Sequence, residues 1–308
     1  MAHDFQLWVR SERIFKQAAQ LFKNGLGREN YSASAANDQL ISIRLITDAP
    51  ETRLREGRAG GTAPSPMAFL DDDYTSLIPY SELALKTIWL NREGEISPDT
   101  VPIHDAEVRD LQELLNFEPL FKGPSLRQCL DWWDAWSVPE NVRMHSKTVA
   151  WGAYVLAVML RNRGISVDPI LTHRGGLLHD IDKIKTLQVS GAHGQRGAAF
   201  LEEVGYLEVA QIVREHIMST ILNPQADDRP WEVKLVFFCD KLVEGDRIVP
   251  FNQRLDKLMA RYPQYRDTMR LAEEPIWALS DQVCSRLGIA SHEVMTTMLK
   301  DLKMKLSG

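Results

Sequence analysis

The spacing of apolar residues predicts a mixed first part of the chain. Residues 7–26 carry apolar side chains at helical spacing and end near two glycines, so they predict one amphipathic helix. Residues 40–46 alternate apolar and polar positions, and residues 83–90 are a second candidate for an extended segment. The pattern therefore predicts a small mixed α+β region over residues 1–120.

A glycine-rich stretch at residues 56–66 lies inside this region. It holds Arg58 beside Gly60 and Gly61, but its prolines remove amide donors and it lacks the spacing of a phosphate-binding loop. We therefore predict a surface loop there. We recognise no family resemblance in this region.

The pattern becomes almost wholly helical after the breaker pair Gly123 and Pro124. We place a domain boundary there and predict a helical bundle over residues 121–308, so that the protein is mostly α. The longest apolar run, residues 149–160, is shorter than the ~20 residues that a transmembrane helix needs, and it predicts a core helix. Residues 275–287 and 291–306 predict two closing helices, with His292 exposed.

Polar residues on apolar helix faces are the candidate functional residues of this bundle. One long helix is predicted over residues 138–163, and His145 falls on its apolar face. The next helix opens at Asp168, a favourable N-cap, and delivers His179 and Asp180 at its carboxyl end. These side chains are therefore predicted to point into the bundle.

Three further residues of the same kind follow. His193 lies where a short loop enters a helix, and His216 lies on the apolar stripe of the helix predicted from Leu207. Asp240 shares the inward face of a helix that begins at Pro230. A lone carboxylate on such a face has a large desolvation cost unless a cation or a donor accompanies it.

Two explanations compete for these side chains. An isolated histidine on an apolar face is usually a buried side chain with a hydrogen-bond partner, and Asp240 could pair with Lys241 or Arg247. Imidazole and carboxylate are also ligands that divalent transition metals accept, and six of them on separate helices can close around a pair of ions. The number of candidates favours a metal site formed by His145, His179, Asp180, His193, His216 and Asp240.

The order of these residues resembles that of a known family. The chain contains three His-Asp pairs, but only the third, His179 and Asp180, ends an apolar helix. With residues 181–183 it completes a turn that resembles the His-Asp-Ile-x-Lys turn of the HD-domain phosphohydrolase superfamily, in its six-ligand, two-metal form. The departure is Asp182, where the family usually has a small residue. The resemblance covers residues 121–262, with similar blocks at 125–130, 139–145, 176–183, 193–205, 212–216 and 239–249.

The resemblance implies a metal-dependent phosphohydrolase with two divalent transition metal ions, iron, manganese, cobalt or nickel. One ion would be held by His145, His179, Asp180 and Asp240, and Asp180 would bridge to a second held by His193 and His216. A hydroxide shared by ions ~3.5 to 4 Å apart would attack the phosphoryl group of a nucleotide-like substrate. Asp180 and Lys183 are the predicted catalytic residues. The predicted substrate contacts are Lys183, Arg196 and Arg247.

Two other functions remain open at this point. Mixed-valent di-iron oxygenases of the myo-inositol oxygenase group use the same ordered six ligands, so the set alone does not exclude oxidative cleavage. The third alternative is a non-catalytic HD module that binds a nucleotide and reports it through residues 1–120.

Composition narrows the class of partner. The 308 residues carry a formal net charge of -6, which argues against a nucleic-acid partner held by phosphate neutralisation. Three distant cysteines, Cys129, Cys239 and Cys284, indicate neither a disulfide framework nor a zinc ribbon, and the polar amino terminus shows no secretory signal. We therefore expect a cytoplasmic protein that binds a small phosphorylated substrate and no membrane. Its closing helices would complete the bundle or form a homo-oligomer contact.

Overall fold

The structure is a computed structural model of the 308-residue chain. It describes residues 4–9, 13, 14, 16–18, 20, 21, 33, 34, 40–45, 67–82, 86–115, 121–186 and 193–307. The chain forms two compact units, one of Met1–Glu95 and Ile103–Phe121, the other of Ile96–Pro102 and Lys122–Gly308. The glycine-rich loop predicted at residues 56–66 lies outside the described residues. The functional division predicted at residue 120 stays a prediction.

The amino-terminal unit is built on a six-stranded sheet. Its strands are β1 (Asp4–Val9), β2 (Ala33–Ser34), β3 (Leu40–Leu45), β4 (Met67–Asp71), β5 (Lys86–Leu90) and β6 (Ala106–Val108), in the order β2-β3-β1-β4-β5-β6. All neighbours pair in parallel except β2, which pairs antiparallel with β3 at one edge. Without that edge strand, the order is the 2-1-3-4-5 of a doubly wound fold.

The prediction that a helix begins at residue 7 is wrong. Residues 4–9 form β1, and the helical residues described in this stretch begin at residue 13. Leu7 and Val9 are buried two positions apart, which is the period of a strand. Pairing with two neighbouring strands therefore outweighed the helical spacing of this short segment. The predicted extended segments contain β3 and β5, and the mixed character of the region is confirmed.

Short helical turns join β4 to β5 in this unit. A 3-10 turn, Tyr74–Leu77, leads into α1 (Ile78–Glu82). Asp73 caps the turn, because its carboxylate accepts a hydrogen bond from the backbone nitrogen of Thr75 at 3.0 Å. The connection brings the chain back to the start of the neighbouring parallel strand.

The second unit is helical, as predicted. Its helices are α2 (Leu126–Ala135), α3 (Glu140–Arg161), α4 (Pro169–Leu178), α5 (Lys183–Thr186), α6 (Gln195–Glu203), α7 (Leu207–Glu215), α8 (Trp231–Asp240), α9 (Phe251–Arg261), α10 (Arg266–Leu287) and α11 (His292–Ser307). A small hairpin of β7 (Val243–Glu244) and β8 (Arg247–Ile248) lies between α8 and α9. Of the helices that the structure describes, none is both long enough and apolar enough to cross a membrane.

The centre of this unit is the contact between α3 and α4. Residues 148–158 of α3 are all buried, and α4 is buried along its whole length. A Cβ atom built on Gly176 would lie 2.5 Å from Cα of Ala150, so glycine is what lets the two backbones approach this closely. Asp168 caps α4 through the backbone nitrogens of residues 170 and 171, as predicted. The cap and the close contact fix where the carboxyl end of α4 lies.

Two predictions for the closing helices are wrong. α10 begins at Arg266 rather than at Pro275, because the buried residues Met269 and Ala272 continue its inward face before the proline. His292 is buried rather than exposed, and its Nε2 accepts a hydrogen bond from the backbone nitrogen of Phe251 at 3.1 Å. The position of a residue at a helix start gives no local signal of such burial.

Candidate metal centre

The six singled-out polar side chains lie together in the helical unit. Three helices, α4, α7 and α8, end at this point, and the carboxyl end of a helix carries a partial negative charge that stabilises a nearby cation. The positions are His145 within α3, His179 and Asp180 directly after α4, His193 two residues before α6, His216 directly after α7, and Asp240 at the end of α8.

His145, His179 and Asp240 form a first group of donors. Each offers one ligand atom, and these atoms lie within 4.8 Å of one another. Nε2 of His145 lies 3.0 Å from Oδ1 of Asp240, and Nε2 of His179 lies 3.8 Å from the same oxygen. Three donors at these separations can share one ion.

A second group shares His179 and adds Asp180 and His216, again with ligand atoms within 4.8 Å of one another. His193 joins this group from the loop before α6. Its Nε2 lies 3.0 Å from Oδ1 of Asp180 and 3.2 Å from Nε2 of His216. The two groups of ligand atoms are thus adjacent and share His179.

The carboxylate of Asp180 lies between the two groups. Oδ1 faces His193 at 3.0 Å and His216 at 3.6 Å. Oδ2 faces the Nε2 atoms of His179 at 3.5 Å and His145 at 3.9 Å. One oxygen of Asp180 is therefore directed to each group.

Three of the imidazoles are oriented by backbone carbonyl groups. A carbonyl oxygen only accepts hydrogen bonds, so each Nδ1 donates to its carbonyl and each Nε2 is the nitrogen that faces the donor cluster. The pairs are His145 with the carbonyl of Gly245 (3.0 Å), His179 with that of Gly176 (2.7 Å) and His216 with that of Val213 (2.6 Å). Among the described residues, Nε2 of His179 has no hydrogen-bond partner although it is buried. A buried imidazole nitrogen that faces the cluster without a partner is suited to bind a divalent cation.

Burial and charge hold His179, Asp180 and Asp240 in the protonation states that metal ligands need. Burial lowers the pKa of His179 to about 3, so its imidazole is neutral. Burial raises the pKa of Asp180, but the charge of Lys183 outweighs this and holds that pKa well below its usual range. The same balance, with Lys241 as the cation, keeps the pKa of Asp240 low. Both carboxylates are therefore ionised.

Three cations surround the carboxylates of this centre. Nζ of Lys183 lies 2.5 Å from Oδ2 of Asp180, and Nζ of Lys241 lies 2.5 Å from Oδ2 of Asp240. A guanidinium nitrogen of Arg254 lies 3.9 Å from Oδ1 of Asp240, and Arg254 also pairs with Glu244 on β7. Lys241 was considered as a partner from its adjacency to Asp240. Arg254 was missed, since only the packing of α9 brings it here.

Asp182 lies in the turn between α4 and α5 and is buried. Its Oδ1 accepts hydrogen bonds from Nδ1 of His193 at 2.8 Å and from the backbone nitrogen of Gly194 at 3.1 Å. Its Oδ2 accepts from the backbone nitrogen of Gly197 at 2.7 Å. Asp182, which departs from the expected small residue, therefore contacts the segment that carries His193.

Two of the predicted substrate contacts lie at the surface of the helical unit. Arg196 is exposed on α6, and its guanidinium lies over the ring of Trp136 at 5.9 Å. Arg247 is exposed on β8. Lys183, with 30% of its side chain exposed, is the predicted contact that lies against the donor cluster. The roles of all three stay predictions.

Comparison with known proteins identifies the fold of this region. The family model of the HD domain matches residues 142–244, a range that contains all six clustered side chains. An uncharacterised protein of Methanocaldococcus jannaschii is 35% identical over 133 residues, which cover 40% of this chain and 78% of that protein. The chain therefore contains an HD domain. HD domains bind divalent metal ions, which agrees with the donor cluster of this one.

Two further relatives of this HD-domain protein carry functional names. A tRNA (cytidine(56)-2'-O)-methyltransferase of Picrophilus torridus is 25% identical over 240 residues, which cover 70% of this chain and 67% of that protein. A ribonuclease Y of Pseudothermotoga lettingae is 34% identical over 94 residues, which cover 30% of this chain and 16% of that protein. No solved structure matches the chain significantly.

Proposed function

We propose that this HD-domain protein is a metal-dependent phosphohydrolase that cleaves a phosphate ester or anhydride of a small, nucleotide-like substrate. The observation that carries the proposal is the position of Asp180, which directs Oδ1 to His193 and Oδ2 towards His179. A carboxylate placed in this way suits a bridge between two cations. Paired cations are a common device for displacement at phosphorus.

The six donors would hold two divalent transition metal ions, as the resemblance implies. His145, His179 and Asp240 would hold one ion, and His193 and His216 the other, with Asp180 between them. When bound, such ions supply an activated water at neutral pH and neutralise charge on phosphoryl oxygens. The choice among iron, manganese, cobalt and nickel depends on availability as much as on these ligands.

The substrate would reach the centre past His193 and Lys183. Their side chains are 32% and 30% exposed, whereas those of Asp180 and His216 are 2% and 3% exposed. Lys183 carries a compact positive charge at this opening and would meet a phosphoryl oxygen there. A cation in this position stabilises the charge that develops on phosphate during cleavage.

Arg254 is a second candidate for holding the phosphate. It is buried, and its Nε has no hydrogen-bond partner among the described residues. Guanidinium groups bind phosphate through planar, paired donors, so a guanidinium that approaches Asp240 and has an unsatisfied Nε suits this role. Lys183 and Arg254 together would orient the leaving group and the phosphoryl group relative to the ions.

The charge of the chain favours a small substrate over a long nucleic acid. The name of the Pseudothermotoga lettingae relative describes a ribonuclease, which acts on phosphodiester bonds, and this supports phosphorus chemistry for the shared segment. A formal net charge of -6 does not favour a long polyanion. Nucleotides and short phosphodiesters are therefore the proposed substrate class.

A hydrolysis screen that records released phosphate, released nitrophenol and nucleotide products tests the proposal. Chelator-treated protein is reloaded with Mn²⁺, Fe²⁺, Co²⁺ or Ni²⁺ and offered nucleoside monophosphates, nucleoside triphosphates, cyclic nucleotides and a nitrophenyl phosphodiester, with oxygen uptake recorded in parallel. Asp240→Asn should abolish turnover, while the matched exposed substitution Asp256→Asn on α9 should leave it unchanged.

The other candidate functions give different results in the same screen. Oxygen consumption with an organic substrate, without phosphate release, would replace the hydrolase with an oxygenase. Nucleotide binding without turnover under any metal would leave a binding module. Equal phosphate release by the parent protein and by Asp240→Asn would place the activity outside this centre.

A further inference from the structure

We infer that Asp182 is the positioning residue that seats His193 in the centre and thereby creates the site of the second ion. The inference rests on the proposed metal centre and concerns how that centre is assembled. Asp182 is fully buried, and its carboxylate accepts hydrogen bonds from three donors of one segment, at 2.7 to 3.1 Å.

The first reason is that Asp182 supplies the cap that α6 lacks. Gly194 is the N-cap of α6, with φ 78°, and it has no side chain to accept from the first turn. Asp182 accepts instead from the backbone nitrogens of Gly194 and Gly197, which are otherwise unpaired donors at a helix start. A residue from the turn after α4 therefore fixes the beginning of α6.

The second reason is the close approach at Gly197. A Cβ atom built there would lie 2.8 Å from Cγ2 of Ile181 and 3.4 Å from Oδ2 of Asp182. Glycine at this position lets the first turn of α6 lie directly on residues 181 and 182. The carboxylate can then reach the amide nitrogens without displacing either backbone.

The third reason is the orientation of the His193 ring. An ionised carboxylate only accepts, so Nδ1 of His193 donates to Asp182, and Nε2 is the atom that faces Asp180 at 3.0 Å. The equivalent Nδ1 atoms of His145, His179 and His216 donate to backbone carbonyls. His193 is therefore the histidine of the set that a side chain orients. A carboxylate in this position also increases the basicity of the ligand.

Loss of Asp182 should affect the second ion, which His193 would hold, and not the first. His193 is the most exposed of the six donors, with 32% of its side chain accessible, so packing restrains it least. Without Asp182 its ring would be free to turn away from Asp180. The donors His145, His179 and Asp240 would stay in place, because α3, α4 and α8 hold them independently.

Metal titration of the full chain tests this inference. Mn²⁺ is added to chelator-treated protein, with affinities measured by calorimetry and the spin state of the bound ions by electron paramagnetic resonance. The parent protein should bind two ions and show an exchange-coupled pair. Asp182→Asn should bind the second ion about 10- to 100-fold more weakly, with the first unchanged, and show the spectrum of isolated Mn²⁺ at intermediate loading.

A matched substitution separates positioning from lost stability. Asp168→Asn weakens another N-cap, the partly buried one of α4, through the same chemical change without contact to a metal-ligand residue. It should lower the thermal midpoint and leave both ions bound. Equal second-ion affinities in Asp182→Asn and the parent protein would overturn the inference, as would a second-ion loss in Asp168→Asn of the same size.

A measurement on the parent protein serves if Asp182→Asn does not fold. The second equivalent of Mn²⁺ should slow amide hydrogen exchange in the peptide that spans residues 193–199, and the first should not, because His193 joins the second site. Slowing by the first equivalent, or by neither, would contradict the inference. Two bound ions without hydrolysis of any phosphorylated substrate in the screen would refute the proposed function and leave the role of Asp182 standing.

Discussion

The ammonium nitrogen of Lys241 lies 2.5 Å from Oδ2 of Asp240, and it also donates to the backbone carbonyl of His216 at 2.8 Å. Lys241 is buried and the side chain of Asp240 is 13% exposed, so the pair is largely shielded from water. A single cation thus joins the ends of α7 and α8, which carry donors of both groups. Asp240 therefore both pairs with Lys241 and belongs to the cluster of metal-ligand candidates.

Lys241→Met should destabilise the metal-free protein by about 3–5 kcal/mol, since it leaves Oδ2 of the largely shielded Asp240 carboxylate without its ion-pair partner. The loss should be smaller in metal-loaded protein, where an ion accompanies Asp240. Urea denaturation with and without Mn²⁺ measures both values. Lys257→Met on the exposed face of α9 is the control, expected within about 0.5 kcal/mol of the parent. Equal losses in both states would mean that no cation binds at Asp240.

Asp180→Ala and Lys183→Ala should separate metal binding from turnover. Asp180 lies between both groups of donors, so its removal should abolish binding of both ions and activity. Lys183 cannot ligate a metal while protonated, so Lys183→Ala should keep near-normal metal content and lose about 10²-fold or more in turnover. Elemental analysis and phosphate release are measured on the same samples. Normal turnover in Lys183→Ala would remove it from the catalytic residues.

Gly176→Ala should destabilise the helical unit by about 1–3 kcal/mol or more, because its Cβ would lie 2.5 Å from Cα of Ala150 and force α3 and α4 apart. The same substitution at Gly152, also within a helix of this unit, is the control. A Cβ at Gly152 meets Sγ of Cys239 at 3.5 Å, an ordinary contact. Gly152→Ala should therefore be neutral or stabilising by about 0.5–1 kcal/mol. Thermal midpoints of both variants decide the matter.

The stability of the metal-free protein should be greatest near pH 6.5 and fall on both sides. Burial lowers the pKa of His179 to about 3, so the unfolded chain binds a proton that the folded one does not, and stability falls as the pH drops below 6.5. Burial also lowers the pKa of His193, but hydrogen bonds to Asp180 and Asp182 outweigh it and raise that pKa to about 9. This contribution is complete below pH 6.5 and is lost as the pH rises through 9.

Urea midpoints of chelator-treated protein across this range test the two directions separately. His193→Gln should remove the loss of stability at alkaline pH, because the raised pKa belongs to His193. It should keep the loss of stability at acidic pH, which arises from the lowered pKa of His179. An alkaline decline of the same size in His193→Gln would assign it to other groups. Bound metal should reduce the pH dependence of stability on both the acidic and the alkaline side, since an ion competes with protons for the same nitrogens.

The sequence by itself was enough for the features that depend on residue type and local spacing. Helical periodicity after Gly123 predicted the bundle, and the cap at Asp168 predicted the start of α4. The order of the six donors predicted the HD domain, because each donor belongs to a short segment with its own recognisable pattern. In the first region the alternation around β3 was also visible locally.

Contacts between distant segments decided the rest. The parallel strand order, the approach of Arg254 to Asp240, the burial of His292 and the attachment of His193 to Asp182 each join residues that no common periodicity connects. Asp182 illustrates the reason most directly. As a sequence position it is an unexpected charge in a turn, and only the folded chain places three donors around its carboxylate, because the start of α6 packs against the turn after α4.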